Sequence, residues 1–266
     1  MAAEYETIQY EAREAVCTIT LNRPEVYNAF NEVMTTELLS ALKTAERDAS
    51  IRALIITGAG KAFCSGQDLK TLKDNYVAGY VPVLGERLRK GYNPVILKMR
   101  NMEKPIIAAI NGVAAGAGCS LALAADLRIM AENATLIEVF VHVGLVPDSG
   151  STYMLPRLVG MGKAFELCAL GDKVGAKEAL RLGLTNRVVA DDALAGQAHE
   201  LACRLAALPT KAIGLTKRLL NQAFDHTLEQ QLEAEAFVQR TAGETADHFE
   251  GVRAFIDKRT PEFHGK

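Results

Sequence analysis

The sequence predicts an α/β core that carries a C-terminal helical region. Three observations predict it. Short apolar runs of strand length alternate with stretches of helical period from the first strand signal at Cys17 to Leu208. Two of those runs end in glycine turns that open straight into helical stretches, Phe63-Cys64-Ser65-Gly66-Gln67-Asp68-Leu69 and Gly116-Ala117-Gly118-Cys119-Ser120-Leu121-Ala122. After Pro209-Thr210 the chain keeps a helical pattern, rich in charge, with no further strand signal. The expected division is therefore 1–208 and 209–266.

Cys17, Ile19 and Leu21 alternate with Thr18 and Thr20, the period of a strand, which Asn22-Arg23-Pro24 ends. Asn31 is placed to cap a helix whose apolar face is Met34, Leu38, Leu39, Leu42 and Ala45. Ala53–Thr57 and Pro105–Ile110 are continuous apolar runs, as in strands covered on both faces. Residues 70–103 are weakly patterned. Asp74–Tyr80 reads as a lid, and Val95, Leu97 and Met99 mark a helix before Lys104-Pro105. Leu127–Met130, Thr135–Ile137 and Arg187–Val189 read as short strands. Helices are expected over Gly150–Gly160, Met161–Leu170, Ala176–Leu182 and Asp192–Leu208.

The composition is that of an ordinary globular protein: 266 residues, 49% hydrophobic and 23% charged. A net charge of −2 argues against nucleic acid or an anionic membrane as the main partner. Five cysteines, an odd number with no CxxC spacing, fit free thiols in a reducing compartment, so a cytoplasmic location is expected. The N-terminal stretch carries acids and lacks the apolar core of a signal peptide. Pro105–Ala125 is apolar enough to resemble a membrane span. Asn111, Ser120 and three glycines make it a buried strand, turn and helix instead.

Several chemistries lack their residues. The histidines show neither HxxxH nor HExxH spacing, so no metal site is expected. There is no GxSxG elbow, Gly58-Ala59-Gly60-Lys61 does not complete a phosphate loop, and Leu121 stands where a dinucleotide fingerprint needs its third glycine. What remains is the pair of turns and one acid. A glycine turn at a helix start leaves backbone N–H groups unpaired. Two such turns at the ends of two strands are suited to hold one oxygen as charge develops on it, an oxyanion hole. The acid is Asp148. It reads either as a helix N-cap or as a proton carrier whose pKa is raised by Val143, Leu145, Val146, Met154 and Leu155.

The chain resembles the crotonase (enoyl-CoA hydratase/isomerase) superfamily over nearly its whole length. The resemblance rests on NRPEVYNAFN, GKAFCSGQDL, INGVAAGAGCSLALAADLRI, VGLVPDSGSTYMLPRLVG and AKEALRLGLTNRVV, in that order. It implies a spiral core of ββα units with C-terminal helices that pack between subunits of a trimer or dimer of trimers. It implies an acyl-coenzyme A thioester as substrate and no prosthetic group. It assigns the oxyanion donors to the N–H groups of Gln67 and Ala117. It places coenzyme A across residues 61–69, near Ala62, Cys64, Asp68 and Leu69, with Arg23 and Lys258 toward its phosphates. Gln67 is also expected to line the acyl pocket.

The family's hydratases carry two glutamates, at positions held here by Ser120 and Phe140. Glu138 lies two residues from the second position. Asp148 falls where isomerases of the family carry their acid, and where a dehalogenase carries its nucleophile. The resemblance therefore implies an isomerase in which Asp148 moves one proton, either in a double-bond shift or in the rearrangement of a ring epoxide to an oxepin. The alternatives are a hydratase of broad specificity, an aspartyl nucleophile, and a non-catalytic coenzyme A- or RNA-binding relative. The last has the cluster Lys211, Lys217 and Arg218 in its favour.

Overall fold

The computed structural model describes residues 5–69, 77 and 80–266. Two sheets organise it. The larger contains β1 (Ile8–Arg13), β2 (Val16–Leu21), β3 (Ala53–Gly58), β5 (Ile106–Ile110), β7 (Leu127–Ala131) and β10 (Arg187–Val189), in that order. The smaller contains β4 (Ala62–Cys64), β6 (Val113–Ala115), β8 (Thr135–Ile137) and β9 (Val174–Gly175). The chain steps from the large sheet to the small one three times, β3 to β4, β5 to β6 and β7 to β8. Each step is followed by helix, which is the ββα spiral of the expected fold class.

Pairing is parallel along β2-β3-β5-β7-β10, with Leu54 beside Ile106 and Ala108 beside Arg128. Strands in such a sheet are covered on both faces, and β5 is buried at every residue. Helix α1 (Glu32–Arg47) is capped by Asn31, whose Oδ1 accepts from Met34 N at 2.8 Å. It buries Met34, Leu38, Leu42 and Ala45, while Leu39 is half-buried. Helix α8 (Leu194–Ala206) also packs on the large sheet.

Each step between sheets is sharp, and two asparagines, the buried Asn28 and the half-buried Asn111, tie two of them down. Asn28 Nδ2 donates to the carbonyls of Ala59 and Ala62 at 2.9 and 2.8 Å. Asn111 Nδ2 donates to those of Gly60 and Ala62, and its Oδ1 accepts from Gly58 N. The NRP…NA stretch thus braces the strand crossing that leads into the first glycine turn.

Other expected elements occur within a residue or two of their bounds: α3 (Asn93–Asn101), α5 (Ser151–Val159), α6 (Met161–Leu170) and α7 (Ala176–Leu182). Four strands were not anticipated, among them the two-residue β9 beside β8. β1 carries the polar sequence IQYEAR at a sheet edge, and β4 and β6 are three-residue strands inside what read as glycine turns. The lid expected over 74–80 lies largely outside the described residues.

The C-terminal part is α9 (Thr210–Gln222), α10 (Leu228–Gly243) and α11 (Ala246–Asp257). Lys217 on α9 is buried, pairs with Asp126 at 2.8 Å and donates to the Met99 carbonyl. Lys211 pairs with Glu103 at 2.8 Å. Of the three cations offered for RNA binding, Lys217 is therefore buried and Lys211 is held in a surface ion pair, which weakens that alternative. No helix among the described residues is long and apolar enough to cross a membrane.

Candidate active site

The first glycine turn follows β4. Phe30 N donates to the Gly66 carbonyl at 2.7 Å, and Asp68 N donates to the Phe30 carbonyl at 2.9 Å. This bridge uses the groups on either side of Gln67. In extended backbone the intervening N–H then points the other way. The second turn follows β6 and opens α4 (Ala117–Ala124). Ala117 is the first residue of that helix, so its N–H has no intrahelical acceptor.

Glycine lets the two turns touch. Gly66 has φ +92, and a Cβ there would lie 2.8 Å from the Ala115 carbonyl and 3.5 Å from Ala117 N. A Cβ at Gly118 would lie 2.2 Å from the Cys64 carbonyl. The residue preceding Gln67 therefore abuts the backbone of Ala117, and neither contact tolerates a side chain.

Asp148 lies in a turn ahead of α5. The N-cap of that helix is Gly150, with no side-chain capping bond, so the reading of Asp148 as a cap is overturned. Its backbone carbonyl accepts from Ser151 N, and its Oδ1 accepts from Ser149 Oγ at 2.7 Å. Burial raises its pKa above the ordinary 3.8, and the Ser149 hydroxyl opposes the shift. The apolar surroundings foreseen are only partly present: Met154 and Leu155 are buried, but Val143, Leu145 and Val146 are exposed. Ser120, from α4, sits behind the turn and donates to the Asp148 carbonyl at 3.0 Å.

The sequence reading did not single out Tyr92. It ends a π-helical turn, Leu88–Tyr92, inside the segment whose pattern was weakest. Its hydroxyl donates to Gln67 Oε1 at 2.5 Å, and its ring meets Phe30 edge-on. Burial, then the neighbouring Cys64 and Asp148, push its phenol far up. On the following helix, Ile96 Cγ2 would touch a Cβ at Gly150, so α3 borders the Asp148 turn.

Glu138 was placed on a strand-like run. It instead follows β8 and precedes a 3-10 turn, Val139–Val143. It is buried, and Ser151 Oγ donates to its Oε1 at 2.9 Å. Burial lifts its carboxyl to about 7, with Ser151 acting against and the Asp148 charge adding to the shift. Phe140 is buried, and its Cζ would touch a Cβ at Gly116, beside the second turn.

Residues expected near coenzyme A divide. Leu69 is 54% exposed, beside the turn. Ala62 and Cys64 are buried; the Ala62 carbonyl is bound by the two asparagines, and burial pushes the Cys64 thiol to about 12. Arg23 Nη2 pairs with Asp68 Oδ2 at 2.9 Å, and its Nη1 donates to the Ala29 carbonyl. Two of its five N–H donors are thus used within the turn. Lys258 is exposed at the end of α11 with φ +53.

Glu14, His199 and Cys203 form one cluster of metal-ligand types among the described residues. Arg13 Nη2 stands 3.3 Å from His199 Nε2, which puts a cationic side chain where a metal would bind. The cluster joins the β1–β2 turn to α8 and shares no residue with the turns above. All five cysteines are free.

The chain is similar to known proteins along nearly its whole length. The sequence model of the family described as "Enoyl-CoA hydratase/isomerase" matches residues 11–266. The chain is 44% identical over 261 residues to 1,2-epoxyphenylacetyl-CoA isomerase of Escherichia coli K12, covering 98% of this chain and 99% of that protein. It is 42% identical over 262 residues to a Rhodobacter capsulatus protein named "Probable enoyl-CoA hydratase", with the same coverage of 98% and 99%. The crystal structure of an enoyl-CoA hydratase from Bacillus anthracis superposes with a TM-score of 0.91 at 34% identity, covering 98% of this chain and 100% of that one.

Proposed function

The chain belongs to the enoyl-CoA hydratase/isomerase family, and from that premise we propose that it is an acyl-CoA isomerase with Asp148 as its single proton carrier. The observation that carries this reading is the state of Asp148. Its carboxyl is not consumed by a helix cap, its pKa is raised, and Ser120 and Phe140 stand at the two hydratase glutamate positions.

In this reading the thioester carbonyl lies against the N–H groups of Gln67 and Ala117. Charge growing on its oxygen as a proton leaves meets donors already in place, each worth about 3 kcal/mol in the transition state. Asp148 takes the proton from one carbon and returns it to another of the same allylic system. One carboxylate suffices because no water is added. Hydration requires a water to be activated and a proton delivered, for which a second group is needed. For a ring epoxide on the acyl group, the same carboxyl assists opening to the oxepin, and the similarity to the Escherichia coli isomerase supports offering that substrate.

Coenzyme A is proposed to cross residues 61–69, with Leu69 against it. Phe224, Leu232, Phe237, Phe249 and Phe255 are exposed on the C-terminal helices, which supports a homotrimer or a dimer of trimers built on 209–266. The free cysteines support a cytoplasmic location.

The test compares wild type with Asp148→Asn on 3-enoyl-CoA, 2-enoyl-CoA and ring-epoxidised phenylacetyl-CoA. Isomerisation should fall roughly 10²–10⁴-fold in the variant, the usual contribution of a positioned acid–base group. Wild-type hydration of 2-enoyl-CoA that survives the substitution would refute the reading in favour of a hydratase.

A further inference from the structure

Glu138 is a buried carboxyl for which the proton transfer proposed above has no task. It is 4% exposed, and its Oε2 meets no N–H or O–H donor; the nearby Cys119 thiol, a weak donor, favours its charged form. Its Oε1 lies 2.9 Å from Ser151 Oγ, which lies 2.8 Å from Ser120 Oγ. Ser120 Oγ in turn lies 3.0 Å from the carbonyl of Asp148 and 3.2 Å from that of Gly116. Both serines are almost fully buried. The titratable groups that face Glu138 are Cys119 from α4, Asp148 from the turn before α5, and Cys168 from α6. Asp172 lines the same small cavity. All of these are acids or thiols.

Hydrogen accounting allows two polarities for this chain, the Asp148 carbonyl being the nearer of the two carbonyls that Ser120 reaches. Each serine hydroxyl has one hydrogen, and an ionised carboxylate only accepts. With Glu138 ionised, Ser151 gives its hydrogen to Glu138, and the contact between the serines then takes the hydrogen of Ser120. The Asp148 carbonyl loses that donor. With Glu138 protonated on Oε1, Glu138 donates to Ser151, Ser151 to Ser120, and Ser120 to the Asp148 carbonyl. The atoms are the same and the polarity is reversed.

We propose that Glu138 is a positioning residue for Asp148, its proton deciding whether the Ser151–Ser120 chain ties down the Asp148 turn. The turn needs such a tie. Ser149 has φ +50 and Gly150 φ +88, and a left-handed serine is held only where its neighbours fix it. Because burial lifts the Glu138 carboxyl to about 7, the two polarities exchange near neutrality. The inference deepens the reading of Asp148 as proton carrier, so its test has one arm that does not depend on activity.

In the first arm, the ligand-free wild-type protein is labelled with ¹³C, and the Glu138 carboxyl and Asp148 backbone carbonyl are followed against pH. Both should inflect at the same pH, and the shared inflection should persist in the Asp148→Asn protein. A carbonyl signal that stays flat while Glu138 titrates would overturn the inference. In the second arm, isomerisation is profiled against pH. Wild-type kcat should fall about fivefold through the Glu138 inflection with KM unchanged, the effect of losing one hydrogen bond. Glu138→Gln, whose amide can donate to Ser151 at every pH, should keep kcat level there. A variant that follows the wild-type limb would also overturn the inference. If wild type isomerises nothing, the proposed reaction fails, and the first arm still decides the role of Glu138.

Discussion

The Tyr92 hydroxyl donates to Gln67 Oε1 at 2.5 Å, so a residue of the π-helical turn fixes the side chain whose backbone N–H is the first proposed oxyanion donor. Gln67 Nε2 is held as well, by the Phe30 carbonyl at 3.1 Å. The amide is anchored at both ends.

Tyr92→Phe should therefore loosen Gln67 while keeping the ring against Phe30. Steady-state kinetics should show kcat/KM lower by roughly fivefold, the worth of one hydrogen bond, with the fold intact by circular dichroism. Unchanged kcat/KM would remove Gln67 orientation from the mechanism.

Gly66→Ala places a methyl group where Ala115 carbonyl oxygen would be 2.8 Å away, at φ +92. The turn must shift, and the N–H of the next residue shifts with it. Turnover should fall about 10²-fold, the loss expected when one oxyanion donor is misplaced. The same variant should melt at lower temperature, since a left-handed alanine costs roughly 1–2 kcal/mol.

Asp126→Ala should leave Lys217 buried and without its carboxylate, because Lys217 is only 7% exposed. Urea unfolding should show a loss of about 3–5 kcal/mol, as for other broken buried pairs. Removing the pair should also free α9 from the core, detectable as faster amide exchange in Thr210–Gln222.

Glu138 makes stability depend on pH with a definite sign. An acid whose pKa rises on folding, here from 4.5 to about 7, binds its proton more tightly in the folded state. Its contribution is complete below 4.5 and is lost as pH climbs through about 7, since the folded chain holds the extra proton across that window. The whole effect is of the order of 3 kcal/mol. Relative to Glu138→Gln, wild type should lose stability over that range in thermal or urea melts, and parallel pH curves for the two proteins would contradict the burial assigned to this carboxyl.

Much of the frame was legible in the chain because it rests on local signals. Asn31 caps α1 as its spacing requires, and the continuous apolar runs became the buried parallel strands β3 and β5. The glycine turns were located because only glycine permits their close approach. β1 was missed because an edge strand needs no apolar alternation. Tyr92 was missed because its partner, Gln67, lies 25 residues away and nothing local marks the pair.

Fold class, family and the candidate site residues were all readable from the chain, because backbone periodicity, turn chemistry and ordered motifs are written along it. What each side chain is free to do was set by folding. It paired Arg23 with Asp68 and Lys217 with Asp126, relieved Asp148 of a cap, and buried Glu138 behind two serines. Charge, burial and hydrogen-bond supply depend on neighbours distant in sequence, and these set a residue's chemistry as firmly as its identity does.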